Sequence, residues 1–305
     1  MPAVLGPEDI ADILHRYFER GERSPDIVLD TMPRSDVSPS VVDELLARPD
    51  VHDDDYLVFR HLTAPRTTIL DVGANFGYSA TSIWRAGSKA AVVSFEPIPM
   101  YARVLEALAE RINPPPGGLL HRWRHPKRYE SFSTGISDRA GTITFHLSVL
   151  NGDRINSALT TASTRVDIES YVRNTLFFAE ANGFEITSFR LHPFTAPVTT
   201  LDQWAADAPS TLKRRKIVAI KIDTEGYEGH TMVGAAKLLH QHRPLVMAEC
   251  GHAIPLAVET MKQHGYAMLR RSGDRLEIAE APSGVNTFYG HPSQFRHYRD
   301  IGLMS

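Results

Sequence analysis

The sequence predicts a Rossmann-like α/β fold, a doubly wound and mostly parallel sheet, and three observations point to it. Apolar runs at 67–72, 90–95, 217–222 and 245–248 are each followed by a stretch with helical spacing. Strands that alternate with helices form parallel sheets covered on both faces, and such strands read as unbroken apolar runs. The run at 67–72 enters a Gly-containing turn, Asp71-Val72-Gly73-Ala74-Asn75-Phe76-Gly77, that opens a helix. The following apolar run ends on an acid, Glu96, nineteen residues after Gly77.

Taken in order, residues 1–65 read as a helical lead-in placed to lid a cleft, ahead of a main domain over 66–305. Ile10, Ile13, Leu14, Tyr17 and Phe18 share one helical face. Ser38-Pro39 reads as a cap and first helical position, with Val41, Val42, Leu45 and Leu46 behind it. Helices are expected at 77–85 and at 100–112, the latter through Val104, Leu105, Leu108 and Ile112. The stretch 114–118 is a breaker, and 131–137 and 142–147 read as strands around a turn at 138–141. Residues 148–192 look like an insertion holding one helix, with Ile168, Val172, Leu176 and Ala179 on a face. Further helices are expected near 229–240 and 254–264, and the tail from Tyr266 alternates like antiparallel edge strands.

Bulk properties exclude several classes. A chain of 305 residues accommodates one large α/β domain and a small appended element. A net charge of −3 argues against coating DNA or RNA, which needs a basic domain. Cys250 is the single cysteine, so no internal disulfide forms, as suits a reducing compartment. No run approaches the roughly 18–20 apolar residues of a membrane helix, and residues 1–20 have no signal-peptide core. The expectation is a soluble, cytoplasmic protein with no nucleic-acid or membrane partner; a homo-oligomer is left open.

The turn and the acid together read as a nucleoside-cofactor site. Gly73 and Gly77 allow unusual backbone angles and close ligand approach, and Glu96 is placed to grip a ribose diol. A dinucleotide fingerprint would put glycine where Asn75 stands, to admit a pyrophosphate. Asn75, with Asp71 at the strand end, suits a cationic, phosphate-free ligand such as S-adenosylmethionine better. Asp71 would hold the amino-acid end of that ligand or, equally, serve as a cap.

The order of motifs resembles the FkbM family of methyltransferases. The first motif is Asp71 to Ser79 and the second Ser94-Phe95-Glu96-Pro97. Gly135-Ile136-Ser137-Asp138-Arg139-Ala140-Gly141, Thr199-Thr200-Leu201-Asp202 and Ile220-Lys221-Ile222-Asp223-Thr224-Glu225-Gly226-Tyr227-Glu228, with Gly234-Ala235 following, are similar to later family segments. The resemblance runs from about 67 to 290. It implies a class I methyltransferase fold with a seven-stranded sheet, and O-methylation of sugar or polyketide hydroxyls. By that resemblance Asp71, Gly73, Asn75 and Gly77 surround the methionine part, with Ser79 counted among the cofactor-binding residues. Glu96 takes the ribose, and Ser137 and Asp138 lie near the adenine.

Methyl transfer to a hydroxyl needs a base or a metal to offset the high pKa of the alcohol. Strand tips rich in such groups are Asp223 with Glu225, and Glu249 with His252. In one reading His252 or Asp223 takes the proton. In the other, Asp223 and Glu249 hold a divalent ion such as Mg²⁺. Glu228 and His230 read as helix residues, and Asp202 as the cap of the helix that follows it. The basic run Arg122 to Arg128 reads as a solvated loop. Asn156, Ser157 and the rest of 148–192 are candidates for an acceptor pocket that takes a small molecule or oligosaccharide. Rival readings are an inactive nucleotide-binding scaffold, an NAD-dependent oxidoreductase, and a methyltransferase acting on nitrogen or carboxyl.

Overall fold

Every residue of β1 (Thr67–Val72) and β2 (Ala91–Phe95) is buried. Helices cover both faces, so no polar alternation marks these strands. The alternation survives in the core that each residue joins. Ile69, Val92, Ala219 and Met247 pack with Leu45, Tyr56, Phe59, Ile83 and Leu105. Leu70, Val93, Ile220 and Val246 face the other way, toward Leu201, Met232, Leu238 and Ala257.

The computed structural model describes residues 7–21, 39–115, 127–150, 154–160, 165–181, 183, 186–208, 215–249, 255–282 and 284–305. The chain divides into two units, residues 1–29 with 142–197, and residues 30–141 with 198–305.

In the larger unit, β3 (Tyr129–Phe132), β2, β1, β8 (Lys216–Ile222) and β9 (Leu245–Glu249) run parallel, in that order. Beyond β9 come β12 (Asn286–Gly290), β10 (Ala267–Ser272) and β11 (Arg275–Ile278), all antiparallel. Among the described residues the sheet therefore has eight strands, not the seven expected. The added edge arises because the tail folds as a hairpin after Ser272 and so buries Leu276 completely. The helices α3 (Tyr78–Arg85), α4 (Pro99–Ile112), α6 (Leu201–Asp207), α7 (Glu228–Val233), α8 (Ala236–His242) and α9 (Pro255–Gln263) belong to this unit, as does the terminal α10 (Phe295–Asp300).

The lead-in splits between the two units. The helix α2 (Pro39–Ala47) and a 3₁₀ turn at Asp54–His61 place Val42, Leu45, Tyr56, Val58 and Phe59 in the core beside α3 and α4. Val41 and Leu46 remain exposed. The helix α1 (Pro7–Phe18) instead joins the smaller unit, where Ile10, Ile13 and Leu14 pack with Ile168, Tyr171, Val172 and Leu176 of α5 (Arg165–Ala181).

That unit also holds an antiparallel pair, β5 (Gly141–Leu150) and β6 (Arg154–Thr160), and most of β7 (Phe189–Thr199). The last two residues of β7 pair with β4 (Gly135–Ile136) in the larger unit. Among the described residues, no helix is long and apolar enough to cross a membrane.

Candidate functional site

The turn after β1 is built around close backbone approach. Gly73 has φ +74°, and a Cβ there would lie 1.7 Å from the carbonyl oxygen of Asp223, so no side chain fits. Its amide donates to the Phe95 carbonyl at 3.0 Å, and the Asp223 amide donates to that of Val72 at 3.0 Å. The tips of β2, β1 and β8 are thus tied together. Asn75 adopts a left-handed φ of 49°, where its short side chain accepts from its neighbour's amide, that of Phe76, at 2.8 Å. Gly77, at φ 89°, starts α3.

Glu96 meets this turn. Its Oε2 accepts from the Asn75 amide at 2.8 Å and its Oε1 from the Ile98 amide at 2.9 Å. Burial pushes its pKa up to about 7, against the pull of those two amides. An ionised carboxylate offers about four lone-pair sites, so two amide bonds leave acceptor capacity for a diol.

Strand register assembles a polar row beneath the tips. Asp71 is paired across β1 with Ser94 on β2 and with Lys221 on β8. All three lie on the face that carries Ile69, Val92 and Ala219, two positions back along each strand. Asp71 is fully buried; its Oδ2 accepts from the hydroxyls of Ser79 at 2.7 Å and Ser94 at 2.8 Å. Lys221 Nζ lies 3.8 Å from Asp71 Oδ1, and donates to the Gly73 carbonyl at 3.2 Å and to Asp223 Oδ2 at 3.1 Å. Burial works against the ammonium, but the charge of Asp223 and the groups of Tyr56 and Asp71 outweigh it and raise the pKa. Burial raises Asp71, with Lys221 opposing.

At the rim the carboxyls differ. Burial tends to raise Asp223, yet Lys221 and a hydrogen bond with Glu249 hold it below the usual range. Glu249 is pushed well up by burial, then by the Asp223 charge and that same bond, so the shared proton resides on Glu249. Glu225 stands on the outer turn at φ 51°; crowding by protein atoms, then Asp223 and Glu228, raise it to about 8. Glu228 is buried, and its Oε1 accepts from the amides of Thr224 at 2.8 Å and Gly226 at 3.2 Å, which shapes the turn.

Past β4, the Ser137 amide donates to Thr199 at 2.9 Å and its hydroxyl to Asp138 Oδ1 at 3.0 Å. Asp138 Oδ2 is 3.3 Å from His230 Nδ1, and the His230 ring stacks on Tyr227 at 4.4 Å. His230, read from sequence as a plain helix residue, therefore forms part of a polar and aromatic ledge beside Ser137. Asp202 is corrected: it caps α8 by accepting from the Lys237 and Leu238 amides at 2.9 Å, while Thr200 caps α6 by accepting from Gln203 at 2.9 Å.

Two residues at these tips escaped the sequence reading. Lys221 lay within a quoted motif but was given no role. His52 lies in the lead-in, with its ring stacked on Tyr78 at 5.7 Å and its amide bonded to Ser82 Oγ at 2.7 Å. Lys221 stands two residues before Asp223, the strand period that sets side chains on one face, whereas nothing in the chain ties His52 to Asp223. Cys250 and His252 lie outside the described residues, as does most of the 122–128 run, and nothing is described of the Asn156 and Ser157 side chains.

The donors present fit a nucleoside that carries a cationic chain, since Glu96 retains acceptor capacity and Asp223 is ionised. They do not fit the divalent ion suggested for Asp223 and Glu249. Lys221 Nζ already bonds Asp223 Oδ2 at 3.1 Å, and no three metal-ligating side chains converge among the described residues.

Comparison with known proteins agrees with the motif reading. A family model, the methyltransferase FkbM domain, matches residues 71–276. No curated protein matches the sequence. Among solved structures, an FkbM methyltransferase from Methylobacillus flagellatus is similar at 13% identity and TM-score 0.40, over 83% of this chain and 58% of that one. A SAM-dependent O-methyltransferase from Thermotoga maritima is similar at 12% identity and TM-score 0.37, over 83% of this chain and 71% of that one.

Proposed function

We propose that this chain, which belongs to the FkbM methyltransferase family, transfers the methyl group of S-adenosylmethionine to a hydroxyl of a sugar, oligosaccharide or other polar metabolite. The cofactor supplies an electrophilic methyl carbon on a sulfonium. The observation that carries the reading is the bond from the Asn75 amide to Glu96, which joins the β1 turn and the β2 acid into one recognition element. In this reading Gly73, Asn75 and Gly77 receive the methionine part, Glu96 the ribose diol, and Ser137 and Asp138 the adenine side. Asp71 and Ser79 brace the turn from within rather than touching the ligand, because Asp71 is fully buried, with both serine hydroxyls on Oδ2 and Lys221 Nζ 3.8 Å from Oδ1. On the acceptor side, Asp223 takes a hydrogen bond from the hydroxyl and orients it, with Glu225 and Glu249 around the rim.

A net charge of −3 and the acidic rim favour a neutral, polyhydroxylated acceptor over nucleic acid. A single cysteine is in keeping with work in the cytoplasm. An oxidoreductase is disfavoured because Asn75 stands where a pyrophosphate-binding turn needs glycine.

Calorimetric titration of S-adenosylmethionine, S-adenosylhomocysteine and NAD tests the reading. Micromolar binding of both adenosyl compounds is expected, weakened at least ~10-fold by Glu96→Ala, about 1.4 kcal/mol. NAD binding with no adenosyl-sulfur binding would assign a redox enzyme instead. Product analysis separates oxygen from nitrogen or carboxyl acceptors. Binding without formation of S-adenosylhomocysteine across a sugar panel would favour the scaffold reading.

A further inference from the structure

The rim carboxyls leave the reaction without an evident proton acceptor. Asp223 is held ionised by Lys221 and is a weak base, while Glu249 already carries a proton. Imidazole is the side chain best suited to exchange a proton near neutral pH. His52 presents an exposed imidazole at this place. Its ring lies nearly parallel to Tyr78, the first residue of α3 after the Gly73 to Gly77 turn, at 5.7 Å and 11°. On its other side it meets Tyr56, edge-on at 6.4 Å. Its backbone is pinned to α3 by the 2.7 Å bond to Ser82. A lead-in residue is thereby fixed at the cofactor turn by two aromatic contacts and one backbone tether.

We propose that His52 is the proton acceptor in methyl transfer, a catalytic residue supplied by the segment between α2 and the 3₁₀ turn. This rests on the methyltransferase reading above. As the hydroxyl oxygen bonds to the methyl carbon, its proton passes to a ring nitrogen of His52, and the electron pair of the broken carbon–sulfur bond stays on sulfur. The products are the methyl ether, S-adenosylhomocysteine and an imidazolium that returns its proton to solvent. The charged and titratable groups facing this ring are Asp53 beside it, Arg48 over the Tyr78 ring at 4.5 Å, Asp223 and Lys221 on β8, and the Tyr56 phenol. Asp53 and Asp223 both feel the His52 charge. Asp223 thus steadies the imidazolium that forms, while Lys221 and Arg48 oppose it.

The donor and its product differ by one positive charge at sulfur, which gives a test that needs no acceptor. Histidine-labelled protein is titrated by NMR in its S-adenosylmethionine and S-adenosylhomocysteine complexes, with His52→Gln to assign the signal. A ring beside the reacting sulfur titrates at least ~1 pH unit lower in the donor complex. Equal midpoints in the two complexes would overturn the proposal. The His52→Gln variant, assayed on a panel of methyl glycosides, is expected to bind the donor within about twofold of wild type and to form S-adenosylhomocysteine ~100-fold more slowly. Unchanged product formation would overturn it too. Absence of binding by the wild-type protein would instead sink the methyltransferase reading itself.

Discussion

Lys221 divides the tip region into two halves built from the same residue type. On its inner side Asp71 is fully buried and holds two serine hydroxyls. On its outer side Asp223 keeps a third of its side chain exposed and shares a proton-bearing contact with Glu249. The two carboxylates sit on adjacent strands, two register positions apart. Burial alone separates them, one sealed by protein atoms and the other partly open to solvent. Chemically identical groups acquire different work according to how much solvent remains around them.

The sharpest way to break this comparison is Lys221→Met. It strands a buried carboxylate on the inner side, and removing one partner of such a pair costs about 3–5 kcal/mol. Denaturant unfolding should show that loss, and a change below ~1 kcal/mol would mean the inner half is not an ion pair.

Next in size is a pH effect at Glu96, which holds its proton to higher pH in the folded state than in the unfolded one. Its pKa rises from 4.5 to about 7, so the native protein binds the extra proton between those values. Stability should therefore fall as pH rises through that window, by on the order of 3 kcal/mol, and level off above it. Thermal scans of wild type against Glu96→Gln should show the slope in the first and a flatter profile in the second.

Smallest in stability is Asp223→Asn, expected to shift unfolding by less than ~1 kcal/mol because the group is partly solvated. The same change should slow methyl transfer ~100-fold or more, measured at saturating donor. Equal stability losses from Lys221→Met and Asp223→Asn would erase the distinction between the halves.

Much of the fold was legible because apolar runs and helical spacing are local properties. Strands β1, β2, β8 and β9, helices α3 and α4, and the antiparallel tail lie where the pattern put them. The added edge strand was not, since a short hairpin arm with one buried leucine has little pattern of its own. The split of the lead-in was equally hidden. Both α1 and α2 are amphipathic, and an apolar stripe does not say which core receives it.

The same limit governed the site. Gly73, Asn75, Gly77 and Glu96 could be singled out as a candidate site because a turn and a strand end carry their own chemistry at fixed spacing. Asp202 misled because a cap is identified by its partner, and α8 is distant from Asp202 in sequence. Asp71, Ser94 and Lys221 form one row, yet in unbroken buried strands nothing marks a shared face.

What the amino-acid sequence determined by itself was the alternation of strands and helices, the Gly-containing turn after β1 and the acid at the end of β2, since each depends on residues close along the chain. Tertiary structure alone decided the eighth strand, the unequal burial of Asp71 and Asp223, the place of Lys221 between them and the stacking of His52 on Tyr78. Those depend on register and burial, which arise only when segments far apart in sequence exclude water from one another.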